Sequence, residues 1–501
     1  MKSFSFLCIL LVTIGCKPEQ SFIVKTDKGT VEGFEKGDID IFKGIPFAAP
    51  PVGDLRWKAP QEHEPWDGVL QTKEFSASPI QSKPKPFKMW SAEFISPPEP
   101  LSEDCLYLNI WSKKTKEKKP VFVWIYGGGF NSGSAGCAIY DGEEYAKNDV
   151  VFVSINYRVN MFGYLAHPEL SSENDEGISG NYGLLDQIQA LKWVQDNIEA
   201  FGGDPNNVTV AGQSAGSMSV HSLVASPLAK GLFHKAIGQS GGFLGGNRAV
   251  TLEEAELKGK ELFDKLDGKS MQELREVPAE ELFEMVNNVG YTSYAPVRDG
   301  VVLANDLEGS FKSGQFNDVP FLGGWVSGDG KLFSAPEISP EEYQKEIVKE
   351  FGDKSGDYLA LFPGNNSDEL QASIGKKNML SFAGLPVHLL AKYNSKPVYV
   401  YEISHVPVEK PDFPDYGAFH TSDVPLTLHN LHTWDRPWRD IDRNAETLIS
   451  SYWLNFIKTG NPNGEGLPEW NVYDDGGIQL INASTSSEPD LYQAELEILS
   501  K

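Results

Sequence analysis

Along this chain, short unbroken apolar runs alternate with stretches of helical periodicity. Residues 119–126, KPVFVWIY, and 150–155, VVFVSI, are apolar without the polar alternation of a half-exposed strand. Such runs predict strands buried on both faces, as in a parallel sheet. Residues 208–211, 235–239, 319–326 and 396–403 read the same way. Between them, residues 183–200 place Leu184, Leu185, Ile188, Leu191, Val194 and Ile198 on one face of an amphipathic helix. Residues 251 to about 287 predict two or three short charged helices, which read as a cap insertion over a site; 341–350 and 444–458 predict further helices. Strands alternating with helices define an α/β architecture. Near the N-terminus, residues 23–25 and 30–32 flank the polar Thr26-Asp27-Lys28-Gly29, a hairpin signal. The Pro- and Gly-rich residues 42–60 predict an ordered loop, and residues 78–100 a second one carrying Met89-Trp90. That aromatic pair suits either a wall above a binding site or a pin holding the loop to the core.

One strand predicts more than packing. Residues 208–211 run into Gly212-Gln213-Ser214-Ala215-Gly216, after which a helix begins. A serine in a sharp strand-to-helix turn, flanked by small residues, is presented as a nucleophile at the helix N-terminus. Such a serine needs oxyanion donors, a base and an acid. Gly127-Gly128-Gly129 follows the 119–126 run directly. Three glycines cost backbone entropy, which makes sense where the backbone must approach a substrate and aim N–H groups at it. The amides of this loop, with that of Ala215, are the candidate donors. Among nine histidines, His63 and His167 precede the serine, His234 follows too soon, His221 points along the serine's own helix, and His388 lies in a packed apolar run. His405, His420, His429 and His432 remain. His420 sits in the small-residue loop Gly417-Ala418-Phe419-His420-Thr421-Ser422-Asp423 after the 396–403 strand, where a base following an acid in chain order is expected. The acid should end the strand between them, and Asp329, in Ser327-Gly328-Asp329-Gly330, does so; an aspartate there also reads as a plain turn former.

Composition narrows the partners. With 70 acidic and 44 basic residues, the net charge is -26, which argues against nucleic acid and against electrostatic binding to an anionic membrane. Lys2, the apolar residues 4–14 and Gly15-Cys16 resemble a bacterial lipoprotein signal: a leader over 1–15 with lipid added at Cys16, although Thr13 departs from the leucine usual there. The expected protein is exported from the cytoplasm, lipid-anchored in the bacterial envelope or otherwise secreted, with a single domain over 21–501. Of the four cysteines only Cys105 and Cys137 then remain in the folded part, and buried free thiols are expected for them.

Taken together, FKGIPFAAPPVGDLRW, SEDCLYLNIW, VWIYGGGFNSGS, INYRVNMFGYLA, VTVAGQSAGSMSV, GAFH and FIKTGNPN resemble the type-B carboxylesterase and cholinesterase family of α/β-hydrolases, nearest in look to bacterial carboxylesterases of the p-nitrobenzyl esterase kind. The resemblance implies a serine carboxylesterase acting on small-molecule esters, with no metal or organic cofactor. It implies Ser214 as nucleophile, His420 as base, Asp329 as the third triad member where the family usually has glutamate, and Gly128, Gly129 and Ala215 as the oxyanion hole. It further implies that Ser240 supports the acid by hydrogen bonding, and that Arg56 with Glu103 and Arg158 with Asp186 form structural ion pairs. Three departures accompany it. Pro79 stands about where the disulfide partner of Cys105 would be, so that bridge is expected to be absent. Gln213 precedes the nucleophile where the family commonly has glutamate, which argues against a cationic substrate such as a choline ester. The pocket loops do not align. The alternatives are a catalytically silent adhesion or binding member of the same family, an amidase, or an exported esterase of acylated polysaccharide.

Overall fold

The computed structural model describes residues 21–113, 115, 117–245, 249–266, 268–292, 294–333, 338–410, 416–474, 477–482, 484–488 and 491–500. The predicted leader and Cys16 lie outside the described residues. A sheet of 13 strands runs through the molecule. Its strands are β1 (Ser21–Lys25), β2 (Thr30–Lys36), β3 (Ile39–Pro46), β4 (Val69–Gln71), β5 (Tyr107–Lys113), β6 (Lys119–Ile125), β7 (Val151–Ile155), β8 (Gly203–Gln213), β9 (Lys235–Gln239), β10 (Phe321–Val326), β11 (Val398–Ile403), β12 (Ile478–Ile481) and β13 (Thr485–Glu488). They lie side by side in the order β1-β2-β3-β5-β7-β6-β8-β9-β10-β11-β12-β13, with β4 paired to β2. From β7 to β12 every pairing is parallel; the pairings outside that run, β4 with β2 excepted, are antiparallel.

Hydrophobic patterning explains the parallel run. Val121, Phe122, Val123 and Trp124 are fully buried on β6, as are Val151, Phe152 and Val153 on β7, so neither face of these strands meets water. The predicted hairpin closes β1 onto β2 through Thr26 N–H to Gly29 O at 2.8 Å.

The principal helices are α1 (Tyr182–Asn197), α2 (Ala215–Ala225), α3 (Leu252–Asp264), α4 (Met271–Glu276), α5 (Ala279–Asn288), α6 (Pro340–Phe351), α7 (Ser367–Met379), α8 (Leu385–Tyr393) and α9 (Asp440–Thr459). α1 buries more than one stripe. Asp186 and Gln187, on the side expected to face solvent, are fully buried, while Leu185 is only partly so. Asp186 is tolerated there because Arg158 grips it with Nε at 2.8 Å and Nη2 at 2.7 Å, which compensates a burial that would otherwise be costly. Arg56 grips Glu103 in the same two-pronged way, at 2.7 and 2.6 Å. Both ion pairs implied by the family are present.

Three features depart from expectation. Residues 42–46, expected in a loop, complete strand β3, because Ile39, Ile41, Phe42 and Ile45 all find the core between β2 and β5. α7 was not expected, and α8 was foreshadowed only by the apolar, helix-like run around His388. The three helices over 252–288 form as expected, with Thr251 and Ser270 completing capping boxes with Glu254 and Glu273. Among the described residues, none of them lines the cavity described below.

Candidate active site

Ser214 stands between β8 and α2 with φ 58° and ψ -123°, a conformation a non-glycine residue adopts only when its surroundings impose it. They do so from three sides. Its N–H donates to Gln239 O on β9 at 2.8 Å, and its carbonyl accepts from Met218 N–H at 2.9 Å. Any Cβ on Gly216 would strike the Ile125 carbonyl at the end of β6. The G-x-S-x-G spacing is therefore a steric requirement of an elbow wedged against the neighbouring strand.

The glycine loop leaves the C-terminal end of β6, beside the elbow. Gly128 has φ 126° and Gly129 φ 63°, values that suit glycine alone or nearly so. Asn131 and Ser132 N–H groups both donate to Gly128 O at 3.1 Å, and the Gln81 side chain clamps Gly133 with bonds of 2.9 and 3.0 Å. Beneath the loop, Tyr126 and Tyr157 stack at 4.4 Å and exchange hydroxyl-to-carbonyl hydrogen bonds of 2.9 Å. Among the described residues, no acceptor takes the Gly128 and Gly129 amides. Ala215, first in its helix, has an amide with no intrahelical acceptor. All three are available to a bound oxygen.

Asp329 follows β10, and His420 lies on the loop after β11. Gly328 N–H donates to Ala418 O at 3.0 Å, which ties the two turns together. Asp329 Oδ1 lies 2.6 Å from His420 Nδ1, and Asp329 Oδ2 accepts the Val326 N–H at 3.2 Å. Asp329 is fully buried and His420 is 2% exposed. Ser214 and His420 both face one cavity of about 570 Å³. Among the described residues, no hydrogen bond joins the Ser214 hydroxyl to His420; such contacts are often long until substrate binds. The partner of His420 Nε2 is instead the Gln213 side-chain amide, at 3.1 Å.

Ser214, Asp329, His420, Gly128, Gly129 and Ala215 thus converge at the C-terminal ends of adjacent parallel strands, where open α/β sheets place their sites. Ser240 does not play its expected part: its hydroxyl is buried and finds no partner among the described residues. The other histidines stand apart. His221 is enclosed against Phe321, and burial pushes its pKa down to about 3. His405 bonds Asp442 at 2.9 Å, and His429 lies 3.9 Å from Glu446. Cys105 and Cys137 are free and buried.

Sequence reasoning missed one neighbour of the base and left the place of another open. Asp423 is fully buried behind it; desolvation raises its pKa to about 6, and Oδ2 accepts from Gln239 Nε2 at 2.8 Å. Its only signal was its place in the GAFHTSD stretch. Trp90 donates from Nε1 to Thr421 Oγ1 at 2.6 Å, with its ring 6.5 Å from that of His420. It both lines the cavity and pins its loop, so the two roles considered for it coincide.

A parallel sheet carrying a strained serine elbow, a glycine loop and an acid–histidine pair in the order Ser, Asp, His defines the α/β-hydrolase class. A sequence profile of the carboxylesterase family matches residues 20–498. The chain is 35% identical over 477 residues to the fumonisin B1 esterase of Sphingopyxis macrogoltabida, covering 90% of this chain and 84% of that protein. It is 35% identical over 471 residues to the para-nitrobenzyl esterase of Bacillus subtilis, covering 90% and 92%. A solved PNB esterase superposes with a TM-score of 0.82 at 31% identity, over 96% of this chain and 99% of that one. The carboxylesterase EST55 of Geobacillus stearothermophilus gives 0.81 at 31% identity, over 96% and 100%. The chain belongs to the carboxylesterase family and is a carboxylic-ester hydrolase.

Proposed function

We propose that ester hydrolysis proceeds through an acyl-enzyme on Ser214, with His420 as general base and Asp329 as the acid that orients it. What supports this most is the 2.6 Å His420–Asp329 contact beside the elbow serine in a shared cavity. Ser214 Oγ attacks the ester carbonyl as its proton passes to His420 Nε2. Asp329 holds the proton on Nδ1 and stabilises the imidazolium. The amides of Gly128, Gly129 and Ala215 receive the oxyanion, each worth roughly 3–4 kcal/mol by analogy with single-donor deletions elsewhere. His420 returns the proton to the leaving alcohol, and water then repeats the sequence on the acyl-enzyme. A fluorophosphonate is expected to label Ser214 stoichiometrically, with loss of p-nitrophenyl acetate turnover. No labelling and no turnover would instead favour the silent adhesion alternative.

The cavity wall suggests a charge preference. Lys83 and Lys85 line it, and among the described residues no Asp or Glu does, on a chain of net charge -26. Lys83 is also within 3.8 Å of Glu99, with both side chains exposed. Gln213 puts no charge beside the nucleophile. The preferred esters are neutral or carry a carboxylate; choline esters are poor. Reversing both lysines to glutamate is expected to lower kcat/KM for a p-nitrophenyl ester of a dicarboxylic half-acid roughly three- to tenfold relative to its methyl-capped analogue, an effect that fades with added salt. An unchanged ratio at low salt refutes the preference.

The N-terminal pattern supports export and lipidation at Cys16. Incorporation of labelled palmitate that Cys16→Ser abolishes would establish the anchor; secretion of an unlabelled mature chain would favour simple cleavage.

A further inference from the structure

The contact between Gln213 and His420 joins the residue before the nucleophile to the atom that must accept the nucleophile's proton. Gln213 Nε2 lies 3.1 Å from His420 Nε2, and His420 Nδ1 lies 2.6 Å from Asp329 Oδ1. Gln213 is 1% exposed. One proton arrangement satisfies both contacts. Nδ1 carries the hydrogen and donates it to Asp329, and the Nε2 lone pair accepts an N–H from the Gln213 amide. The neutral ring is thereby fixed in the tautomer that the reaction needs.

Once Ser214 gives up its proton, Nε2 bears a hydrogen and the amide N–H is the wrong partner. A half-turn of the amide presents Oε1 instead. A carboxylate could only accept, and an apolar side chain could do neither. Room for the amide comes from Gly127: a Cβ there would lie 3.2 Å from Gln213 Oε1 and 2.6 Å from Gln213 O. The glycine loop therefore serves the base as well as the oxyanion.

We propose that Gln213 is a positioning residue for His420: it donates to Nε2 in the resting enzyme, yields that lone pair to the Ser214 hydroxyl when substrate binds, and turns Oε1 toward the imidazolium while the Nε2 proton is passed on to the leaving alcohol. This rests on His420 being the base. Among the described residues, the other charged or titratable groups around the ring are Asp329 on the turn after β10, Asp423 on the histidine's own loop, Tyr401 and Glu402 on β11 behind the two aspartates, and Lys83, Lys85, Cys137 and Tyr140 on the cavity wall. None of them touches Nε2.

The test compares Gln213→Glu and Gln213→Leu with the parent enzyme, each normalised to active sites counted by fluorophosphonate labelling. In Gln213→Glu a fixed negative charge favours the protonated ring, so the acid limb of kcat/KM moves up by about one pH unit or more while the alkaline plateau of kcat is kept. In Gln213→Leu the acceptor for the imidazolium is gone, so kcat falls roughly 10- to 100-fold with KM held within about twofold. An unmoved acid limb in the first variant, or an unchanged kcat in the second, overturns the proposal. If the parent enzyme is not labelled at Ser214, or keeps its activity after His420→Ala, the underlying assignment has failed instead.

Discussion

His420→Ala is expected to reduce kcat by about a millionfold, the loss seen when serine hydrolases are deprived of their base. His429→Ala, by contrast, is expected to leave kcat within about twofold. The contrast follows from geometry. His420 is the histidine that faces the Ser214 cavity, and its Nδ1 is held by Asp329. His429 borders a different, smaller cavity and neighbours Glu446. His221 cannot substitute, because it lies on α2 itself, enclosed against Phe321, and burial already disfavours the protonated form that a base must reach. Steady-state kinetics with p-nitrophenyl acetate on both variants decide the matter. Equal losses, or a loss confined to His429→Ala, would remove His420 from the assignment. Some activity above the uncatalysed rate should survive in His420→Ala, because the oxyanion donors remain.

The second large effect is expected from Asp329→Asn, with kcat reduced about 10⁴-fold and the fold intact. Asparagine can still accept the Val326 N–H that Asp329 Oδ2 accepts now. Toward His420, however, an amide N–H facing Nδ1 favours a lone pair there and moves the ring hydrogen to Nε2, where it blocks uptake of the serine proton. The thermal midpoint and circular dichroism should stay close to those of the parent while kcat collapses. A loss of less than about tenfold would point to another acid. Asp423 is one alternative: its Oδ2 already accepts from Gln239, and burial raises its pKa to about 6.

Much of this site could be read before any coordinates because its chemistry is tied to backbone geometry. The elbow requires glycine where Gly216 meets Ile125, and the oxyanion loop requires the positive φ of Gly128. Such demands print themselves on the sequence as fixed residue types at fixed spacing. The parallel strands were equally plain, since burial on both faces removes polar alternation. Features that depend on contacts between remote segments left little trace. β3 lay hidden in a stretch rich in Pro and Gly, because its strand character comes from pairing with β2 and β5. The helices over 252–288 showed their existence through a charged, helix-forming composition, but nothing local told which surface they would cover. Ser240 matched a supporting role by position, yet its hydroxyl meets no partner among the described residues, since a one-residue motif match carries no distance. The Gln213–His420 contact spans 207 residues of chain; sequence showed only that a charge was missing there.

The Trp90–Thr421 hydrogen bond joins the loop that walls the cavity to the residue following the base. Selectivity and proton transfer are therefore mechanically linked across 331 positions of chain. Anyone exchanging the 82–96 loop with that of a relative, in order to transplant substrate preference, would be exchanging half of a joint. The transplantable unit is that loop together with Thr421, and chimaeras that move one without the other should lose turnover before they gain a new substrate.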